Sequence, residues 1–235
     1  MELSHSKSDS FKIFDNIAKK YDFINSVLSF GLHGVWRRKL SWMLPRVRDM
    51  KVLDLATGTA DVAIELVNNE NVVHVDGLDM SKGMVEVGRK KLQDLGLDSK
   101  IKLHIGDAQN IPFEDEQYNA VTMSFGIRNV PSPLKCLQDS FRVLKKDGRV
   151  LILEFGLPSS KIVRAGHLFY LRHILPIIGN RLSGSSFAYT YLNETIETFP
   201  YGDNFVEIMK EAGFSHTNYQ KLLFGGVNLY WGIKK

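Results

Sequence analysis

The sequence predicts a Rossmann-like α/β fold, with a mostly parallel sheet whose last strand runs antiparallel. Three observations predict it. Short apolar runs alternate with helical periods from residue 51 onward, the pattern of parallel βαβ units with helices on both faces. The first run, Val52-Leu53-Asp54-Leu55-Ala56, enters a small-residue turn that opens a helix. Near the end, two strand-like runs at 217–223 and 227–233 flank Phe224-Gly225-Gly226, a hairpin signal.

Taken in order, Phe11, Phe14, Ile17, Ala18 and Tyr21 recur at helical spacing behind the N-cap candidates Ser8, Asp9 and Ser10. A second amphipathic stretch covers 25–44 and stops at Pro45. Strands are expected at 51–56, 72–78, 101–105, 118–124 and 150–155. Helices are expected between them at 61–67, 84–95 and 133–144, with Gly96 as a C-cap signal. A further helix at 203–212 stops at Gly213. Residues 1–45 thus read as an N-terminal helical cap, and 46–235 as the Rossmann-like domain with a helical insertion at about 156–202.

The 235 residues are 44% hydrophobic and 24% charged, the balance of a folded globular chain. A net charge of +4 is too small an excess to argue for a nucleic-acid partner. It suits loose attraction to an anionic membrane surface. Cys136 is the single cysteine, so no internal disulfide forms, no Cys-rich metal site is expected, and a cytoplasmic setting follows. The first ten residues lack the apolar core of a signal peptide, and no apolar run reaches the roughly 18 residues of a membrane span.

The chemistry concentrates at strand ends, where open parallel sheets bind ligands. Asp54 and Gly58 belong to the first strand and its turn, Asp79 closes the second strand, Gly106-Asp107-Ala108 follows the third, and Ser124 ends the fourth. An acidic residue at the place of Asp79 hydrogen-bonds a ribose diol, and one at Asp107 accepts from an adenine amino group. Singly, Asp79 is more often a helix cap than a ligand, and Asp107 reads equally as a turn residue or a ligand. Together they describe a nucleoside site. The turn lacks the G-x-G-x-x-G pattern that seats a pyrophosphate. A carboxylate beside it repels phosphate and favours a cationic tail, so S-adenosylmethionine fits better than a dinucleotide.

Here the chain resembles the UbiE/MenG family of quinone C-methyltransferases over nearly its whole length. The motifs are Phe14-Asp15-Asn16-Ile17-Ala18-Lys19-Lys20-Tyr21-Asp22, Ser29-Phe30-Gly31-Leu32-His33-Gly34-Val35-Trp36, Ser124-Phe125-Gly126-Ile127-Arg128-Asn129-Val130 and Tyr189-Thr190-Tyr191-Leu192-Asn193-Glu194-Thr195-Ile196. The resemblance implies a seven-stranded class I S-adenosylmethionine-dependent methyltransferase fold, with cofactor contacts at Thr59, Asp79, Asp107, Ala108 and Ser124. It also implies a polyprenylated hydroquinone as acceptor: demethylmenaquinol and, in many bacteria, a ubiquinone precursor. The chain departs from the family at Ala60, where a glycine is usual, and at Lys146-Asp147-Gly148, where Pro-Gly-Gly is usual.

Methylating a ring carbon requires an electron-rich ring, which a hydroquinone becomes on losing a phenolic proton. With a phenol pKa near 10, that ionisation costs roughly 4 kcal/mol at neutral pH. Arg128 and Asn129, next to the expected sulfonium, are the first candidates for stabilising the phenolate; the bland alternative is a surface ion pair and a turn cap. His33 and Tyr21 come next; a histidine can take a phenolic proton near pH 7, against a histidine tied into the packing of the N-terminal helices. Tyr189 and Tyr191 either line the acceptor pocket or pack. The apolar cluster around Phe169, Tyr170, Leu171, Ile174 and Leu175 either holds a prenyl chain or forms a core helix broken at Pro176. Cys136 is expected to be buried and inert. An RNA or other small-molecule methyltransferase and a non-catalytic scaffold subunit remain as alternatives, and monomer and homodimer are both open.

Overall fold

A computed structural model describes residues 10–183 and 188–235, without the side chains of 10, 13, 14, 16, 17, 19, 180, 182, 183 and 188–190. The expectations for Ser8 and Asp9, and for the side chains of Phe14, Ile17 and Tyr189, lie outside the described residues.

Seven strands form one sheet: β1 (Met50–Leu55), β2 (Val72–Asp79), β3 (Ile101–Ile105), β4 (Tyr118–Ser124), β5 (Leu144–Phe155), β6 (Ser215–Leu222) and β7 (Val227–Ile233). Their order is β3-β2-β1-β4-β5-β7-β6. The first five pair in parallel, and β7 pairs antiparallel with both β5 and β6. The last strand is therefore antiparallel, but it is inserted beside β5 and leaves β6 at the sheet's edge. Strand β6 alternates half-buried and exposed residues along its length, whereas β7 is almost wholly buried, as an edge and an interior strand should be.

Nine helices flank or cap the sheet among the described residues: α1 (Ser10–Leu28), α2 (Leu32–Trp42), α3 (Asp61–Val67), α4 (Lys82–Leu95), α5 (Pro133–Val143), α6 (Lys161–Phe169), α7 (Leu175–Ser183), α8 (Ala188–Thr198) and α9 (Asp203–Glu211). Both sheet faces are covered, which is why the central strands read as unbroken apolar runs. Leu53, Leu55, Val121, Met123 and Ile152 point to the side of α5 and α9. Val52, Val75, Ala120, Leu151 and Leu153 point to the side of α2, α3 and α4. Trp36 and Leu40 place α2 in that second layer.

Two boundaries differ from the sequence reading. The first helix runs on to Leu28, and the chain turns at Ser29–Gly31, with Phe30 and Gly31 at φ 51° and 74°. Residues 25–28 therefore belong to α1. Helices α6 and α7 are joined by a π-helical turn, Tyr170–Ile174, rather than broken at Pro176. Pro176 stands just beyond that turn, and the π-helical turn carries the helix past the proline without a break. Ile24 of α1, Leu171, Leu175 of α7, and Tyr191 and Ile196 of α8 make a third, smaller core above the carboxyl ends of the strands. It fixes α1 and the inserted helices as a roof over the site.

Candidate active site

The turn after β1 is built for close approach. Ala56, Gly58 and Ala60 all have positive φ (49°, 56° and 69°). A Cβ on Gly58 would meet nothing within 4 Å, because it faces an open cleft. Gly58 N–H donates to Asp79 Oδ2 at 2.8 Å, and Ser81 N–H donates to Asp79 Oδ1 at 2.8 Å. Burial raises the Asp79 pKa, and the backbone bonds oppose it. Ser81, not Asp79, caps α4, its Oγ accepting from Met84 N–H.

A cleft of about 150 Å³ lies over these strand ends, walled by Gly58, Asp79, Asp107, Ala108, Ser124 and Asn129 among others. Asp107 Oδ1 accepts from Gln109 N–H at 2.8 Å. Ser124 Oγ and Asn129 Oδ1 are buried, without a hydrogen-bond partner among the described residues, so polar atoms left unsatisfied stand on residues of this wall. No lysine or arginine lines this cleft among the described residues. An acidic wall with orphaned polar atoms fits an adenosine with a cationic tail and resists a phosphate.

Two expected contacts stand behind the wall. Asp54 is buried at 1% exposure, opposite Thr122 of β4, whose Oγ1 donates to Asp54 Oδ1 at 2.6 Å. Burial pushes its pKa up to about 7, against the lowering effect of Thr122. Thr59 turns its hydroxyl to Asp22 of α1, 2.5 Å away. Ala60 likewise packs into the core on the α3 side and is absent from the cleft wall. Its methyl group bears on turn geometry, not on cofactor contact.

Helix α1 closes the cleft from above, with Phe11 and Tyr21 on the wall. Two carboxylates tie it down. Asp15 Oδ1 accepts from Ser81 Oγ at 2.5 Å and from Gly83 N–H at 2.8 Å, at the start of α4. Asp22 accepts from Thr59 and pairs with Lys91 at 2.5 Å; Lys91 also pairs with Asp61, which pairs with Arg37.

Next to the cleft is a second, largely apolar cavity of about 300 Å³. Tyr21 and Phe125 border both spaces. His33, Arg37, Arg128, Phe155, His167 and Tyr191 are on its wall. Arg128 is only 4% exposed. Its Nη1 donates to Phe125 O at 2.5 Å and to Glu154 Oε1 at 2.9 Å, and its Nε is buried without a partner among the described residues. Glu154 also accepts from the N–H groups of Arg128 and Phe155. Burial raises the Glu154 pKa, countered chiefly by Arg128. Tyr21 is raised by burial, with Asn25, Arg128 and Arg37 lowering it. His33 is lowered, first by burial and then by Arg37, and its Nδ1 lies 2.6 Å from Ser29 Oγ.

The structure thus gathers Tyr21, His33 and Arg128 on one cavity, with Asn129 on the adjoining cleft. Tyr191 also lines the cavity, so for this residue both lining and packing hold. The sequence reading missed Arg37, which directly follows the tryptophan of a quoted motif, and Glu154, which ends an apolar strand and so looks like a strand boundary. Cys136 is 1% exposed, and burial pushes its thiol pKa up to about 12.

The fold and this cleft define a class I S-adenosylmethionine-dependent methyltransferase. Solved structures agree on the fold. One is a S-adenosylmethionine-dependent methyltransferase from Thermotoga maritima, described as a possible histamine N-methyltransferase; it matches with a TM-score of 0.68 at 18% identity, over 96% of this chain and 100% of its own. Another is a phosphoethanolamine N-methyltransferase from Haemonchus contortus in complex with S-adenosylmethionine; it matches with a TM-score of 0.60 at 14% identity, over 83% of this chain and 51% of its own. The ubiE/COQ5 methyltransferase family model matches residues 2–234, and the chain belongs to that family. It is 38% identical over 224 residues to the ubiquinone/menaquinone biosynthesis C-methyltransferase UbiE of Geotalea daltonii, covering 95% of each chain. It is also 38% identical over 228 residues to the demethylmenaquinone methyltransferase of Thermotoga maritima, covering 97% of this chain and 96% of that one.

Proposed function

We propose that the protein C-methylates a polyprenylated hydroquinone in menaquinone biosynthesis, taking demethylmenaquinol to menaquinol. Ubiquinone biosynthesis is the second pathway the relatives' names carry. The observation that carries the reading is the apolar cavity beside the cofactor cleft, sharing Tyr21 and Phe125 with it as lining residues, with a buried guanidinium on its wall.

Bound S-adenosylmethionine supplies an electrophilic methyl group on a positive sulfur. Asp79 takes the ribose hydroxyls, Asp107 with Ala108 the adenine, and Ser124 and Asn129 the polar edge nearest the acceptor. Gly58 lets the chain pass close, while Asp54 and Thr59 act from behind the wall. Arg128, whose side chain borders the acceptor cavity, would hold the phenolate there. Since a guanidinium keeps its proton, the phenolic proton leaves through another group. His33, kept neutral by burial and by Arg37, is the candidate base on this cavity; Tyr21, raised by burial, keeps its own proton and serves only as a hydrogen-bond partner.

Phe30 and Phe224 are 81% and 80% exposed. Phe30 lines the cavity, and Phe224 follows Leu223, which lines it too. This apolar rim supports entry of the prenyl chain from a membrane surface and peripheral contact with that membrane. No helix among the described residues is long and apolar enough to cross a membrane.

The test is incubation with methyl-labelled S-adenosylmethionine and a lipid extract from a strain that lacks quinone methylation. Label is expected in menaquinone. An active preparation that labels another lipid class, or none, overturns the acceptor assignment.

A further inference from the structure

We infer that His167 binds the acceptor's second hydroxyl, the one remote from the carbon that receives the methyl group. The inference rests on the hydroquinone reading and adds a residue to it.

His167 lies on α6, far in sequence from the motifs that mark the site, yet its ring borders the same apolar cavity as Arg128 and Phe155. Gly226 leaves room for it: a Cβ there would sit 3.0 Å from His167 Cε1 and 3.4 Å from Nδ1. The ring is therefore held against the start of β7. Its Nε2 is buried, with no hydrogen-bond partner among the described residues. The other histidine on this wall differs, because His33 is already engaged by Ser29 Oγ. Buried polar atoms in native proteins are normally satisfied. The His167 ring borders the cavity, and its orphaned nitrogen lies just beneath that wall, where a turn of the imidazole brings it to a bound diol. Burial lowers the His167 pKa, so the ring is neutral at physiological pH and retains a lone pair.

The chemistry of the acceptor assigns the two ends. A hydroquinone carries two oxygens across the ring from each other. Only the oxygen beside the reacting carbon feeds charge into that carbon, and it needs a donor-only group, which Arg128 is. The remote oxygen keeps its proton throughout methyl transfer. It needs an acceptor, which an arginine cannot provide and a neutral imidazole can. With its proton on Nδ1, His167 accepts at Nε2. No bond is made or broken at this residue. Its effect is to fix the ring's orientation and to favour the reduced acceptor, since a quinone has no hydroxyl to donate.

The experiment compares two acceptors: a short-chain prenylated naphthohydroquinone, and the same ring lacking the hydroxyl remote from the methylated carbon. The wild type is expected to show a KM about tenfold lower for the diol, the size of one hydrogen bond to an otherwise unsatisfied buried group. In His167→Phe that preference disappears, while cofactor affinity by calorimetry and the melting temperature stay close to wild type. His167→Gln, which keeps an acceptor, regains part of it. A folded His167→Phe that still prefers the diol overturns the inference. So does a wild type with equal KM for both acceptors, a result that needs no variant to fold. A wild type that methylates neither ring, but is active on another lipid, overturns the hydroquinone reading itself and is distinguishable from both.

Discussion

Arg128 and Glu154 form a buried ion pair, 2.9 Å between Nη1 and Oε1, with side-chain exposures of 5% and 0%. The pair neutralises itself, so Arg128 serves as a fixed, oriented donor more than as a free positive charge. Arg128→Ala removes that donor. By analogy with the loss of one oxyanion-hole donor, turnover should fall by about 10²–10³ with cofactor affinity nearly intact. It also leaves Glu154 buried and unpaired, which costs about 3–5 kcal/mol, so a melting curve must accompany the kinetics. Normal turnover in a folded variant removes Arg128 from the chemistry.

Glu154→Gln separates orientation from charge. It keeps an acceptor for Arg128 while freeing the guanidinium's charge. Turnover should fall less than in Arg128→Ala, with little change in cofactor affinity. Equal losses in the two variants would mean that Glu154 supports the fold of this corner rather than the aim of Arg128.

Asp79 joins two pieces of backbone, the turn at Gly58 and the start of α4 at Ser81. Asp79→Ala loses both anchors and, on the proposed reading, the ribose contact. At about 1–3 kcal/mol for a buried group left unsatisfied, cofactor affinity should drop tenfold or more by calorimetry. An unchanged dissociation constant would take the ribose away from this carboxylate.

The Asp54 carboxyl titrates near 7 in the folded protein, against about 3.9 in an unfolded chain. The folded state therefore holds this proton more tightly than the unfolded one. Raising the pH from about 4 to 7 then removes stability. Asp54→Asn cannot ionise, so it should melt higher than wild type at pH 8, with the difference vanishing toward pH 4. A difference that stays constant across this range refutes the shifted carboxyl. Cofactor affinity is expected to weaken in the same variant, since a negative charge behind the turn favours the cationic tail.

Much of the architecture could be read from periodicity, because both faces of the central strands are buried and each strand is followed by a helix. Strand ends were legible for the same reason: Asp79, Asp107 and Ser124 stand on the cleft wall where an open parallel sheet puts them. Side-chain direction at those ends was not. Asp54 faces Thr122 and Thr59 faces Asp22, and only the packing of β4 and α1 decides that. The acceptor cavity was the least legible part. It is assembled from α1, α2, α6, α8 and the start of β7, so His167 and Arg37 meet it through contacts with no sequence period.

Cys136 lies on α5 within the core, and burial holds its thiol protonated far above neutral pH. A buried thiol of this kind is no nucleophile. Cys136→Ser should keep kcat and KM within about twofold, with a modest loss of stability from placing a hydroxyl in an apolar layer. Lost activity in a folded variant would point to a covalent step.

Helix α1 roofs the cleft, and its hold on the domain is polar at two places, Asp15 over the start of α4 and Asp22 over Lys91 and Thr59. We expect a ligand the size of S-adenosylmethionine to pass in and out beneath this helix. Weakening either tie should therefore act on binding more than on chemistry. Asp22→Asn keeps a neutral hydrogen bond to Thr59 but gives up the charge opposite Lys91. Partly exposed pairs are worth about 1 kcal/mol or less, so stability should barely change. Cofactor release, followed by stopped-flow, should speed up several-fold, while kcat at saturating cofactor stays close to wild type. Asp15→Ala frees Ser81 Oγ and Gly83 N–H at the mouth of the cleft, and its release rate should rise further. If release is unchanged in both variants, the cofactor reaches its cleft without displacing α1.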